Sequence, residues 1–262
     1  SIQQVWLNGP PGSAASIEVS DAAGRLRRAV LPRNGAGRRS QRSGPVVSVI
    51  GGEIGYVDLD RLTPGGVDAM FEELKDTRAI IFDMRGYPQG TAWLIAPRLS
   101  SREQVPAARF RRPLALAPPG ISGDVGPLGA VSEFVQYLPE SAKPKYLRPT
   151  VLLIDERAMS QAEHLGLFLE AANGTTFIGS ATAGANGDVS SFAVPGGITI
   201  TFSGQEIRHA DGRPLQRVGL MPDIEVKPTI AGVRAGRDEV LERALEYLGA
   251  GGARPSGVGE AR

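Results

Sequence analysis

The chain has 262 residues, room for one large domain or for a domain and part of another. Its 29 basic residues nearly cancel its 28 acidic ones, so no strong field is present to draw nucleic acid or an anionic membrane surface. Cysteine is absent, which excludes disulfides, thiolate metal sites and a cysteine nucleophile; with only two histidines, a catalytic zinc site is not expected, nor is any other cofactor. No apolar run approaches the roughly 20 residues that cross a bilayer.

In chain order, IQQVWL, ASIEVSD and LRRAVLPR read as three short strands joined by glycine turns, too few for a domain. Residues 34–44, rich in Gly, Arg and Ser, read as a linker. From residue 45 to 250 strands and helices alternate, the pattern of an α/β core. VVSVI and IGYVDLD are strand-like, and TPGGVDAMFEELKD opens on a Thr-Pro helix start with Val67, Met70, Phe71 and Leu74 at helical spacing. AIIFDM is an apolar run of the kind buried in a parallel sheet, and a helix is expected over about Thr91 to Leu99.

Residues 100–149 carry recurrent proline and glycine and read as an insertion or lid, with GAVSEFVQYL its one helical stretch. TVLLID is a second buried strand, SQAEHLGLFLEAANG a helix ended by Asn-Gly, and TTFIGS a third strand. GGITITFSG and QEIRHADGRPL are expected to pair as a hairpin. GRDEVLERALEYLG, with Val240, Leu241, Ala244, Leu245 and Leu248 on one side, is an amphipathic helix, and 251–262 reads as a flexible tail.

Ser160 falls where the strand TVLLID meets the following helix. Unpaired amides and the positive end of a helix dipole favour a developing oxyanion there, which suits a nucleophile. The same serine also suits a plain helix cap, with Glu163 completing a Ser-x-x-Glu capping box.

TVLLIDERAMSQAEH followed by FIGSATAG, preceded by IGYVDLDRLTP and AIIFDMRGYPQG and followed by VGLMPDIEV, resembles the ordered motifs of the C-terminal-processing, or tail-specific, serine peptidases. The resemblance implies a ClpP/crotonase-like core. It makes residues 1–33 the last strands of a PDZ-like module, so that the intact protein extends before Ser1. It implies Ser160 as nucleophile and an oxyanion hole formed by the amides of Gly86 and Gln161, with Asp83 and Arg85 as structural pairs. Protein or peptide substrates, cut through an acyl-enzyme and recognised near their C-termini, follow from it, as does an extracytoplasmic bacterial location.

The pattern breaks at the general base. The family's lysine position holds Ala185, in ATAGANGD, and Gln216 stands where tricorn-type members place a glutamate. A histidine upstream of Ser1, His164 one helical turn from Ser160, and His209 before the Asp-Gly turn are the candidates. The competing reading is a peptide-binding or scaffold homologue that has lost the base.

Overall fold

A computed structural model describes residues 9–21, 23–33, 42–113 and 131–249. It divides into two compact units. The first contains the described residues up to Pro45 together with Pro228–Arg237, and the second runs from Val46 to Lys227 and resumes at Asp238.

In the first unit, β1 (Ala14–Ser20) pairs antiparallel with β2 (Leu26–Pro32). The Asp21 carboxylate closes their turn by accepting the Ala23 and Arg25 N–H groups at 2.9 and 3.0 Å, and these bonds with the Arg25 side chain hold its pKa below the usual value. A short helix, Ile230–Arg234, is capped by Thr229, whose hydroxyl accepts the Gly232 N–H at 2.9 Å. The strand expected over IQQVWL lies outside the described residues.

The second unit is built on a six-stranded sheet. β3 (Val47–Ile50) forms its antiparallel edge beside β4 (Ile54–Asp58), and β5 (Ala79–Asp83) lies parallel to β4. Between β4 and β5 runs α1 (Val67–Leu74), entered through a 3₁₀ turn at Pro64–Gly66. After β5 come α2 (Ala92–Ile95) and a 3₁₀ turn at Ala96–Arg98, which together fill the helical stretch expected there. β6 (Pro106–Pro113) and β7 (Val131–Tyr137) follow, then β8 (Thr150–Ile154), α3 (Gln161–Asn173) and β9 (Thr176–Gly179). The chain continues with the strands β10 (Val189–Val194), β11 (Ile198–Ser203), β12 (Glu206–His209) and β13 (Ile224–Glu225), and α4 (Glu239–Gly249) ends the described part.

The large sheet has the order β13-β9-β8-β5-β4-β3, parallel except at β3. Both of its faces are covered, which explains the unbroken apolar runs AIIFD and TVLLI. Ile80, Phe82, Leu152 and Ile154 face a core shared with α1, α2 and α3. Ala79, Ile81, Val151 and Leu153 face the other way, onto Val240, Ala244, Tyr247 and Leu248 of α4. Each of the buried Val, Ile, Leu and Phe side chains among these contributes about 1.5–3 kcal/mol of transfer free energy. Asp83 and Arg85 form the expected structural pair, Arg85 reaching Asp83 at 2.6 Å and Asp238 at the start of α4 at 2.7 Å.

Two sequence expectations change. GAVSEFVQYL is not helical: Val131–Tyr137 is strand β7, paired antiparallel with β6, and Phe134 stacks on Phe110 at 4.5 Å. Its Val, Phe and Tyr content suits a strand once a partner is present, and that partner comes from about 25 residues earlier. The late hairpin also pairs differently. β11 returns along β10, a strand not anticipated in DVSSFAVP, while β12 pairs with β6 to give a separate β12-β6-β7 sheet.

Gly179 is held at φ 136°, and a Cβ there would stand 2.0 Å from the Ile154 carbonyl oxygen, between two central strands. Gly179→Ala is expected to lose more than about 2 kcal/mol in urea denaturation, whereas Gly65→Ala, which meets open space, stays within about 0.5 kcal/mol.

Candidate active site

Ser160 links β8 to α3 and stands at the helix N-cap. Its backbone, at φ 52° and ψ −117°, is not that of an ordinary cap, which is extended. A non-glycine residue here stores strain of order 1–3 kcal/mol and persists only where its surroundings over-determine it. Those surroundings are explicit. The Ser160 N–H donates to the Ala185 carbonyl at 2.9 Å, and more distantly to Glu163 Oε2 at 3.3 Å. The Ala183 N–H donates to the Ala158 carbonyl at 3.0 Å, so the loop after β9 is strapped along the turn that carries Ser160.

Glu163 lies fully buried on the first turn of α3. Its Oε1 accepts from Thr182 Oγ1 at 2.6 Å and from the Gly184 N–H at 2.7 Å, and its Oε2 accepts the Ala185 N–H at 3.0 Å. Thr182 Oγ1 in turn accepts the Leu220 N–H at 2.8 Å. Among the described residues no cation pairs with this carboxylate; amide dipoles and the helix N-terminus hold its charge. Glu163 is therefore more than the capping partner that Ser-x-x-Glu spacing suggests. Thr182, Gly184 and Ala185 are its partners, and no spacing rule pointed to them.

The expected oxyanion donors differ from one another. Among the described residues nothing accepts the Gln161 N–H, as befits the first residue of a helix. The Gly86 N–H instead donates to the Met84 carbonyl at 2.6 Å, closing a tight turn at the end of β5. A side chain at Gly86 would meet the Asp60 carboxyl carbon at 2.8 Å, and Asp60 holds the next turn residue by accepting the Tyr87 N–H at 2.9 Å.

Neither histidine side chain bonds to Ser160 among the described residues; the His164 backbone N–H donates to the Ser160 carbonyl at 3.0 Å as part of the helix. His164 is buried between Trp93, Phe110 and Phe168, with ring centroids 5.7, 5.9 and 4.8 Å away, and one ring nitrogen, Nε2, meets Gln136 Oε1 at 2.6 Å. Burial depresses its pKa to about 4, so the ring is neutral near pH 7. His209 is also buried, and its Nδ1 meets Glu170 Oε2 at 2.6 Å. Glu170 sits ten residues beyond Ser160, about 15 Å along the helix axis. Burial pushes the Glu170 pKa up, but hydrogen bonds from His209 and Arg213 together bring it below the usual value.

The four lysines are engaged elsewhere: Lys75 with Glu72, Lys143 with Asp68, Lys145 with the Pro97 and Ser141 carbonyls, and Lys227 with Glu225. Gln216 is saturated too. Its Oε1 accepts the Ile207 N–H at 2.6 Å, and its Nε2 donates to the Asn186 and Gln205 carbonyls, each at 2.7 Å. Asn186 escaped the sequence reading; it is buried, and its Nδ2 has no partner among the described residues. No cluster of three His, Cys, Asp or Glu suited to a metal ion occurs among the described residues, and no described helix is long and apolar enough to cross a membrane.

A family model described as peptidase family S41 matches residues 53–226. Among solved structures, a candidate peptidase of Parabacteroides merdae is similar with a TM-score of 0.65 and 21% identity, over 81% of this chain and 67% of that one. Mature CPAF complexed with lactacystin is similar with a TM-score of 0.63 and 15% identity, over 91% and 68%. The photosystem II D1 C-terminal processing protease is similar with a TM-score of 0.53 and 13% identity, over 84% and 57%. At these identities the likeness is one of fold. No curated protein matches the chain.

Glu163→Gln would turn an amide NH₂ toward N–H or O–H donors, and is expected to cost about 2–4 kcal/mol, read as a lower urea midpoint. His164 has a distinct pH signature. Its folded-state pKa lies below the unfolded value of about 6.5, so between pH 6.5 and about 4 the unfolded chain binds the extra proton and stability falls as pH falls. The wild-type chain should lose about 3 kcal/mol more than His164→Phe across that window in parallel denaturation series; equal losses would remove the argument.

Proposed function

The chain belongs to peptidase family S41, a family of serine-type peptidases, and from that premise we propose that Ser160 is the nucleophile of an endopeptidase acting on protein substrates. The strained backbone of Ser160, held at the N-terminus of α3 by Ala185 and Glu163, is the observation that carries this reading. A serine that only capped the helix would gain nothing from φ 52°.

In the proposed reaction Ser160 Oγ attacks the scissile carbonyl carbon while a general base takes its proton. The carbonyl oxygen becomes an oxyanion, received by the Gln161 N–H and, once its turn to Met84 opens, by the Gly86 N–H. Such a donor is worth roughly 3 kcal/mol in comparable sites. Collapse breaks the C–N bond, the amine leaves with the proton from the base, and water then hydrolyses the Ser160 ester by the same route in reverse.

We infer that neither His164 nor His209 supplies the base, because their ring nitrogens meet Gln136 and Glu170, and the lysines are likewise engaged. We assign it to a group beyond the described residues. The first unit is taken as the end of a PDZ-like module that recruits substrate tails by strand addition, in an extracytoplasmic bacterial setting. The same engaged side chains support a second reading, a peptide-binding homologue without a base.

A fluorophosphonate probe separates the two. Covalent labelling that disappears in Ser160→Ala supports the peptidase. Labelling only of a longer form with sequence before Ser1 locates the base upstream, and no labelling of either form favours the second reading.

A further inference from the structure

β10 and β11 form a two-stranded hairpin with one predominantly apolar face. In its register Ser190 faces Phe202, Phe192 faces Ile200 and Val194 faces Ile198. Alternate residues share a face, so Phe192, Val194, Ile198, Ile200 and Phe202 stand together with Ser190, while Ser191, Thr199, Thr201 and Ser203 line the opposite side with Val189 and Ala193. Contacts agree with that division: the Phe192 and Phe202 rings meet edge to face at 6.2 Å, and Ser191 Oγ lies 3.1 Å from Thr201 Oγ1.

The apolar side is not buried. Phe192 is 50% exposed, Phe202 51%, Ile198 60% and Ile200 42%. Together they present roughly 350–400 Å² of apolar surface, within the range of the largest patch on a typical monomer, which is often functional. It is about half of the ~800 Å² per partner that a stable protein interface uses, which argues against a second copy of this chain and for a transient partner. Residues 189–203 contain no charged side chain, so the partner is selected by apolar contact. Among the described residues β10 and β11 pair only with each other, leaving backbone edges with no lysine to discourage a further strand.

The hairpin rises from the loop that holds the nucleophile. Ala185 accepts the Ser160 N–H, and Val189 follows four residues later. Gln216 pins the base by bridging the Asn186 and Gln205 carbonyls, and the Gly204 N–H closes it on the Asp188 carbonyl. At about 3.3 Å per residue, β10 covers some 13–30 Å of chain from Ala185, a span that about four to nine residues of extended peptide match.

We propose that the apolar face of β10–β11 docks an extended, apolar stretch of the polypeptide substrate, several residues from the bond that Ser160 cleaves. The proposal rests on the peptidase reading above for the identity of the partner, yet its test needs no turnover. Binding to the Ser160→Ala chain is followed by fluorescence anisotropy with a short labelled peptide alternating Leu and Thr, beside one with Ser in place of Leu.

The Leu peptide should bind at least about ten-fold more tightly than the Ser peptide. Phe192→Ser with Phe202→Ser should abolish that difference, and Thr199→Ser with Thr201→Ser on the opposite face should preserve it. Unchanged affinity in the Phe192/Phe202 pair would overturn the proposal, as would a wild-type dimer in sedimentation that this pair dissociates. Should that pair unfold, hydrogen exchange on the Ser160→Ala chain decides: protection of 189–203 by the Leu peptide supports docking, and no protection refutes it. A chain that binds the peptide but never reacts with a fluorophosphonate would lose the peptidase reading and keep the docking face.

Discussion

One buried carboxylate organises the candidate site. Glu163 has no cation beside it among the described residues, so its charge is tolerable only while its N–H and O–H donors stay in place. Those donors come from the loop after β9 and from Ser160 itself, and through the Thr182 hydroxyl the closing segment at Leu220 joins them. Three segments distant in sequence are thereby fixed around one helix turn. The left-handed backbone of Ser160 is a consequence, since a residue so strained relaxes unless its neighbours hold it.

The layers around the large sheet explain why α3 can be so apolar and why its histidine does no visible chemistry. The helix runs inside the core, with residues 162–169 all buried, and packs so closely on Leu220 that a Cβ at Gly166 would stand 2.2 Å from that side chain. A ring at position 164 is then a packing unit first. The aromatic cage of Trp93, Phe110 and Phe168 has no charged group to stabilise an imidazolium. His209 is bound at the far half of the same helix. Ser160 is thus separable from both histidine rings in this architecture but not from the β10–β11 hairpin, to which one short loop and the Gln216 strap join it.

Legibility in the sequence followed the range of the interactions concerned. AIIFDM and TVLLID read as buried strands because each lies between two apolar layers and needs no polar face. The helix at Glu239–Gly249 was visible from its own spacing. VSEFVQYL misled because Val131, Phe134, Val135 and Leu138 also fit a helical period, and only the pairing with β6 resolves the ambiguity. β10 went unseen, and β12 was given the wrong partner, for the same reason.

The sequence alone determined the address of Ser160, the alternation of strands and helices, and the ordered motifs that resemble the peptidase family, because each rests on neighbours within a strand or a helical turn. Only the tertiary structure decided that Glu163 holds a loop as well as its cap, that His164 and His209 are consumed by packing and pairing, and that a strand in VSSFAV exposes an apolar face. Each of these depends on contacts between groups roughly 10–40 residues apart, whose meeting is set by how the layers pack and not by any local pattern.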